Sequence, residues 1–178
     1  MVTGGYLQPV FYRETFKKKI SLAARRLKHF EFDFVACSGL SGAIFASVLC
    51  EKMDKSLIVV RKGESSHSMH KVEGLPEHGK HKYIIVDDFI ASGRTIKHIT
   101  DNIELNNYFN ATLNLQFIYL YNEEASSFKR FFTYGDQKVV VNPKPPTTLE
   151  PTVIKEPKVS ANLRNKRSLG GYFGYEIS

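Results

Sequence analysis

The sequence lacks tryptophan, has only two cysteines and contains no long apolar run among its 178 residues. Cys37 and Cys50 each lie within a short apolar stretch, so we expect two buried, reduced thiols rather than a disulfide framework. No segment approaches the roughly 20 consecutive apolar residues of a transmembrane helix, and the N-terminus lacks a charged-then-apolar export pattern. These absences predict a soluble, cytoplasmic protein with no membrane partner.

Acidic residues are outnumbered, 18 against 25 lysines and arginines, and the net charge is +7. Such a charge suits either nucleic acid or a small anionic substrate. The basic residues are spread along the chain without a nucleic-acid-binding signature, so binding of nucleic acid ranks last. With 42% hydrophobic and 24% charged residues, the chain is not collagen-like, coiled-coil or wholly disordered, and its length predicts one domain with a sizeable core.

Helical and apolar patterns alternate along the first 142 residues. The helical patterns predict helices at 10–30, 43–53, 94–109 and 123–132. Short apolar runs predict strands at 32–36, 57–60, 83–86, 113–121 and 138–141. This alternation is typical of an α/β fold with a central, mainly parallel sheet flanked by helices. Ligands of such sheets bind at the carboxyl ends of the strands.

Two regions differ from this pattern. Five of the seven prolines follow residue 142, so we divide the chain into an α/β domain at 1–142 and a proline-rich arm at 143–178. Residues 63–82 join two predicted strands without a helix and are rich in serine, glycine and histidine. A loop of this length is uncommon within a domain, which favours a mobile lid over residues 63–80 rather than a disordered connector.

Four histidines of that loop form two His-x-x-His pairs, at positions 67 and 70 and at positions 78 and 81. The spacing of each pair raises the hypothesis of a zinc site. Structural zinc sites usually include cysteine, and neither cysteine lies near these pairs in the sequence. We therefore disfavour zinc.

The most informative segment is residues 83–95, YIIVDDFIASGRT. An apolar strand is followed by Asp87 and Asp88, and a turn of small residues then opens a helix. Backbone N–H groups in such a turn, with the hydroxyls of Ser92 and Thr95, can bind one phosphate. Two carboxylates beside a phosphate need a hydrogen-bond donor between them, such as a ribose diol, so the pattern predicts a ribose 5-phosphate site. The alternatives are a metal site or a helix cap formed by the two acids.

This thirteen-residue pattern resembles the 5-phosphoribosyl-1-pyrophosphate (PRPP) motif of the type I phosphoribosyltransferases, and the resemblance extends over most of residues 32–100. It implies the fold of that family, with a small hood contributed by the chain termini. It implies an enzyme of nucleotide metabolism that transfers a 5-phosphoribosyl group between PRPP and a nucleobase, with pyrophosphate released or taken up. It also implies a homodimer with shared sites, and Mg²⁺ held near the two acids through PRPP and water, without direct protein ligands.

The resemblance assigns site residues by their position in the pattern. The 5-phosphate is assigned to the second turn, at Ala91, Ser92, Gly93, Arg94 and Thr95. Pyrophosphate is assigned to an earlier strand-to-helix turn and a later strand end, at Ser38, Gly39, Leu40, Ser41, Gly42, Arg61 and Lys62. Catalytic roles are assigned to the acidic pair, the strand-end lysine and the loop, at Asp87, Asp88, Lys62, His67 and Lys71.

Two uncharged residues depart from the family pattern. Ser41 and Ser65 stand where several relatives have a cation. Their neutrality keeps open a second interpretation, a non-catalytic protein that binds PRPP or a nucleotide on the same fold. The spacing from Arg61 to His67 resembles the orotate branch of the family and favours a pyrimidine such as orotate by a small margin.

Overall fold

A computed structural model of the chain describes residues 8–63, 70–107, 110–127, 130–134 and 136–146. The helices are α1 at Gln8–Phe11, α2 at Arg13–Leu27, α3 at Gly39–Met53 and α4 at Arg94–Leu105. The strands are β1 at Phe34–Ser38, β2 at Ser56–Val60, β3 at Val72–Glu73, β4 at His78–Asp87, β5 at Asn110–Leu120, β6 at Phe131–Tyr134 and β7 at Gln137–Val141. A 3₁₀ turn at Glu123–Ala125 follows β5.

The seven strands form one sheet in the order β3-β2-β1-β4-β5-β7-β6. Neighbouring strands are parallel except at the two edges, where β3 and β6 run antiparallel to β2 and β7. Helices α2 and α3 cover one face of the sheet, and α4 covers the other. The predicted α/β fold with a central, mainly parallel sheet is therefore confirmed.

The described residues include only the first four residues of the predicted proline-rich arm, 143–146. The described residues lie within one unit of the chain, Met1–Pro146. Most of the predicted arm, residues 147–178, lies outside the described residues, and so do residues 1–7. The division at residue 142 and the hood from the termini therefore stay predictions.

The sheet separates two hydrophobic clusters, because successive side chains of a strand point to opposite faces. Ile84 packs with α2 and α3, whereas its neighbour Ile85 packs with α4. Phe45 of α3 is fully buried, and its ring stacks on Tyr121 with 4.2 Å between the ring centroids. The core therefore lies on both faces of the central strands.

The two cysteines do not form a disulfide in the structure. Cys37 and Cys50 are free and buried, which confirms the expected buried thiols. Burial raises the pKa of Cys37 to about 12 and that of Cys50 to about 11, so neither thiol ionises near neutral pH.

None of the helices in the described part of the chain has the length and hydropathy needed to cross a bilayer.

The predicted helix at 123–132 is wrong. Among the described residues of this segment, the only helical turn is the 3₁₀ turn, and Phe131–Tyr134 is strand β6, paired antiparallel with β7. Phe132 is 6% exposed and Phe131 is 44% exposed, which is the alternation of a strand with one face against a core. The pairing with β7 decides the conformation here, and a local helical pattern contains no sign of that partner.

Three helix boundaries also differ from the predicted ones. Tyr12 has extended backbone angles (φ −88°, ψ 107°) and separates α1 from α2, so the predicted helix at 10–30 is interrupted. Helix α3 begins at Gly39 rather than at the predicted residue 43, so most of the predicted pyrophosphate turn lies in its first turn. Helix α4 ends at Leu105, earlier than predicted.

The connection predicted as a loop at 63–80 is partly regular structure. Residues Val72–Glu73 form β3 against β2, and β4 begins at His78. The start of β4 is polar and pairs with β5, so no apolar run marks it in the sequence. The predicted loop is therefore wrong for its second half. Residues 64–69 lie outside the described residues, and a lid there stays a prediction.

We expect Phe45→Ala to lower the free energy of unfolding by about 3–5 kcal/mol, because it removes a fully buried ring and its stack on Tyr121. Urea denaturation followed by circular dichroism measures the loss. Leu105→Ala is the matched control, since Leu105 is 72% exposed on α4 and its truncation should change stability by less than about 0.5 kcal/mol. Equal losses in the two variants would contradict the role given to Phe45.

Candidate functional site

A cleft of about 370 Å³ opens at the carboxyl ends of β1, β2 and β4. It is lined by Leu40 and Ser41 at the start of α3, by Lys62 after β2, and by residues 87–96. Parallel pairing of β1 with both β2 and β4 aligns the three strand ends at one edge of the sheet. The fold therefore gathers the predicted phosphate and pyrophosphate turns around a single cavity.

The acidic pair lies at the floor of this cleft. Asp87 is the last residue of β4, and both Asp87 and Asp88 are buried. The backbone N–H of Asp88 donates to Asp87 Oδ1 (2.9 Å), and that of Phe89 donates to Asp88 Oδ1 (3.0 Å). Burial, followed by the neighbouring Asp88, raises the pKa of Asp87 to about 8, against the opposing charge of Lys62. A ligand that donates hydrogen bonds to the pair would favour its ionised form.

The turn after the acidic pair has the geometry expected of a phosphate site. Gly93 has φ +78°, a conformation that favours glycine, and it caps α4, which begins at Arg94. The first N–H groups of a helix lack intrahelical partners and point at the space before it. Ala91 and Ser92 are exposed there, and Arg94 Nε donates to Ser92 Oγ (3.2 Å). All five predicted 5-phosphate residues therefore line the cleft.

The predicted pyrophosphate turn is the junction of β1 and α3. Ser38 ends β1 and is buried, and α3 begins at Gly39, which has φ +75°. The Nζ atom of Lys62 lies 2.9 Å from the position that a Cβ on Gly39 would occupy. The positive φ favours glycine at this position, and the lack of a side chain leaves room for the lysine ammonium beside the backbone of the turn. Gly42 is buried in the first turn of α3.

Other predicted residues do not line the cleft. Arg61 Nη2 pairs with Glu73 Oε1 of β3 at 3.1 Å, and the arginine is absent from the described lining. Lys71 is exposed and also lies outside that lining, where its carbonyl accepts the N–H of Arg61 (2.9 Å). His67 lies outside the described residues. Of the predicted catalytic set, the structure thus brings Asp87, Asp88 and Lys62 together.

Sequence reasoning missed a hydrogen-bonded pair on α4. His98 Nε2 donates to the carbonyl of Arg61 (2.9 Å), and Asn102 Nδ2 donates to His98 Nδ1 (3.2 Å). The pair joins the helix that begins at the predicted phosphate turn to the strand end beside Lys62. Polar residues between the apolar positions of an amphipathic helix normally face solvent, so the sequence carried no signal for this contact.

Comparison with known proteins finds sequence relatives that cover part of the chain. The adenine phosphoribosyltransferase of Fervidobacterium nodosum is 31% identical over 99 residues, which are 46% of this chain and 56% of the relative. The adenine phosphoribosyltransferase of Kosmotoga olearia is 31% identical over 103 residues, 50% of this chain and 61% of the relative. The chain thus spans less than two thirds of the length of either relative. No family model matches it.

A solved structure extends the comparison to the fold. The UMP synthase of Leishmania donovani superposes with a TM-score of 0.52 and 22% identity, over 65% of this chain and 24% of that chain. At this identity the likeness concerns the fold alone. Together with the sequence relatives, it confirms the predicted resemblance to the type I phosphoribosyltransferases.

We expect Asp87→Asn to raise the free energy of unfolding, with a gain that grows by up to about 4 kcal/mol between pH 5 and pH 8. The raised pKa means that folded Asp87 keeps a proton that the unfolded chain has released, so wild-type stability falls as pH rises from the ordinary value of 3.8 to about 8. Asparagine removes this dependence. Urea denaturation at pH 5, 6.5 and 8 measures it.

Asp54→Asn is the matched control for this pH series. Asp54 is exposed, and its backbone adopts the left-handed conformation (φ 53°) at the end of α3. Asparagine is equally tolerated in this conformation. Its profile should parallel that of the wild type. An Asp87→Asn profile that also parallels the wild type would refute the raised pKa.

Proposed function

We propose that the chain is a phosphoribosyltransferase of cytoplasmic nucleotide metabolism, which transfers a 5-phosphoribosyl group between PRPP and a nucleobase with release or uptake of pyrophosphate. One observation carries the proposal: a single cleft contains the buried pair Asp87 and Asp88, the turn that opens α4, and Lys62. A ribose with a phosphate at one end and a pyrophosphate at the other requires these groups. The names of the sequence relatives support the same reaction.

Each group has a distinct part in the proposed reaction. The turn at 91–95 binds the 5-phosphate through backbone N–H groups at the start of α4. Asp87 and Asp88 accept hydrogen bonds from the ribose hydroxyls and stabilise the positive charge that develops at C1 as pyrophosphate leaves. Lys62 and the turn at 38–42 bind the pyrophosphate. The chain thus fixes both ends of PRPP and positions C1 for attack by the base nitrogen.

The same cleft fits Mg²⁺. This ion prefers oxygen ligands and is commonly held by one or two carboxylates together with substrate phosphates and water. Asp87 and Asp88 place two carboxylates in the cleft, where they can accept hydrogen bonds from the waters of an ion held by PRPP. We propose that the ion enters with PRPP. When bound, it neutralises charge on the pyrophosphate.

The acceptor base is the finer part of the proposal. The preference for orotate depended on Arg61 and His67. Arg61 pairs with Glu73 outside the cleft lining, and His67 lies outside the described residues, so the described structure adds nothing to that sequence pattern. The sequence relatives are adenine phosphoribosyltransferases. We therefore propose adenine as the acceptor, with orotate as the alternative.

A non-catalytic PRPP-binding protein is the second candidate. Ser41 contributes no charge to the cleft, and Arg61 is engaged by Glu73. Within the described part of the chain, Lys62 is therefore the only cation of the predicted pyrophosphate set that lines the cleft. A site with few cations at the pyrophosphate can bind PRPP yet stabilise the departing group poorly.

A panel of purines, pyrimidines and nicotinate-type acceptors, each with PRPP and Mg²⁺, distinguishes the two candidates by pyrophosphate release. We expect turnover with adenine. Lys62→Ala should lower kcat by about 10²–10³-fold and weaken PRPP binding far less, because its ammonium stabilises charge that grows as pyrophosphate departs.

Lys52→Ala is the control for this panel, since Lys52 is exposed near the other end of α3. Its kcat should equal that of the wild type. PRPP binding without turnover on any base would favour the non-catalytic candidate. A folded protein that binds no PRPP would overturn both.

We propose further that the protein forms a homodimer through the outer face of α3. Leu40, Ile44 and Val48 follow at four-residue steps and share this face, with Leu40 60% and Val48 41% exposed. Phe11 of the adjacent α1 is exposed as well. Exposed apolar groups in such a cluster are typical of an interface. Leu40 also lines the cleft, so a second copy here would border the site.

Val48→Lys should convert this dimer into a monomer, because the interface would have to bury an unpaired charge. Sedimentation velocity measures the mass of each variant. Leu105→Lys changes an equally apolar, exposed residue on α4 and should leave the mass unchanged. A monomeric wild-type protein, or a dimer that survives Val48→Lys, would contradict this interface.

A further inference from the structure

The phosphate turn is held from behind by a serine that follows β5. Ser126 Oγ donates to the carbonyl of Ile90 (3.1 Å) and accepts the N–H of Ile90 (3.3 Å). The N–H of Ser127 donates to the same carbonyl (2.8 Å). Both Ser126 and Ile90 are buried. Hydrogen bonds to the segment after β5 therefore hold both backbone polar groups of Ile90, its N–H and its carbonyl.

A second anchor lies three residues further along the turn. The ring of Phe132 packs against Gly93, where an added Cβ would lie 2.6 Å from the Cζ atom and 3.2 Å from Cδ2. Phe132 belongs to β6 and is buried, as is Gly93. The ring thus fills the space that a side chain would take, directly behind the residue that caps α4.

We propose that Ser126 and Phe132 are positioning residues that hold the turn in its phosphate-binding conformation before the ligand arrives. The proposal depends on the 5-phosphate site proposed above. Between the anchors at Ile90 and Gly93 lie only Ala91 and Ser92, which are exposed on the cleft side. Backbone donors bind phosphate tightly only when they converge in advance, since ordering a free loop on binding costs affinity.

A purely structural role makes a different prediction from a positioning role. Loss of a structural residue lowers overall stability and affects every ligand of the cleft alike. Loss of a positioning residue weakens ligands that use this turn and spares those that bind elsewhere. Ribose 5-phosphate uses the turn at 91–95, whereas Mg²⁺-pyrophosphate uses the turn at 38–42 together with Lys62. Comparison of the two ligands therefore separates the two roles.

The test is calorimetric titration of both ligands into the full chain carrying Ser126→Ala or Phe132→Leu, at a temperature where circular dichroism reports each variant folded. We expect ribose 5-phosphate to bind roughly fivefold more weakly to Ser126→Ala, which loses both side-chain hydrogen bonds to Ile90. Pyrophosphate affinity should stay within about twofold of the wild-type value. Ser126→Thr, which keeps the hydroxyl, should restore ribose 5-phosphate binding.

Val139→Ala is the matched control for Phe132→Leu. Val139 is buried and pairs with Phe132 across the β6–β7 ladder, so it removes core volume beside the anchor without altering the ring on Gly93. It should leave both affinities unchanged. If Phe132→Leu does not fold, the Ser126 pair of variants decides the question alone.

The possible outcomes distinguish a failure of the positioning role from a failure of the proposed 5-phosphate site. Equal affinity for ribose 5-phosphate in Ser126→Ala and wild type, or equal losses for both ligands, would overturn the positioning role while leaving the proposed function intact. A folded wild-type protein that binds pyrophosphate but not ribose 5-phosphate would overturn the proposed 5-phosphate site, and the positioning role with it.

Discussion

The parallel pairing of β1 with β4 is the constraint on which the site depends. Its register aligns Ala36 with Ile85, and continued by two residues it brings Ser38 level with Asp87. Both strands lead into turns that open helices, so two sets of unpaired backbone N–H groups meet at one edge of the sheet. A slip of one residue would turn every side chain of the strand to the opposite face. The acidic pair can therefore lie between the two turns only in this register.

The buried acidic pair lowers the stability of the folded protein. Asp87 is removed from water beside a second carboxyl group, and its raised pKa expresses the free energy needed to ionise it there. The two hydrophobic clusters on either face of the sheet stabilise the strand that carries it. A buried carboxyl group that lowers stability at the end of an otherwise apolar strand is typical of a functional site.

The central part of the fold was predictable because β1 and much of β4 are buried on both faces, and β2 is buried on one face and partly buried on the other, so that all three form continuous apolar runs. The position of the acidic pair at a strand end and the turn that opens α4 were predictable because they form one contiguous segment. Strand β6 was not, since Phe131 and Phe132 become a strand only by pairing with β7. Nor was the position of Arg61, because its partner Glu73 is brought near by the short antiparallel strand β3.

The cleft also depends on contacts that no contiguous motif contains. His98 bonds the carbonyl of Arg61, and Asn102 holds the imidazole in the tautomer that makes this bond possible. Helix α4 begins at the predicted phosphate turn, and Lys62 follows Arg61 directly, so this contact links the two halves of the cleft. Movement of α4 would displace Lys62 relative to the pyrophosphate turn. Residues 83–95 thus carry the motif from which the chemistry of the site is predicted, while side chains outside them contribute to its geometry.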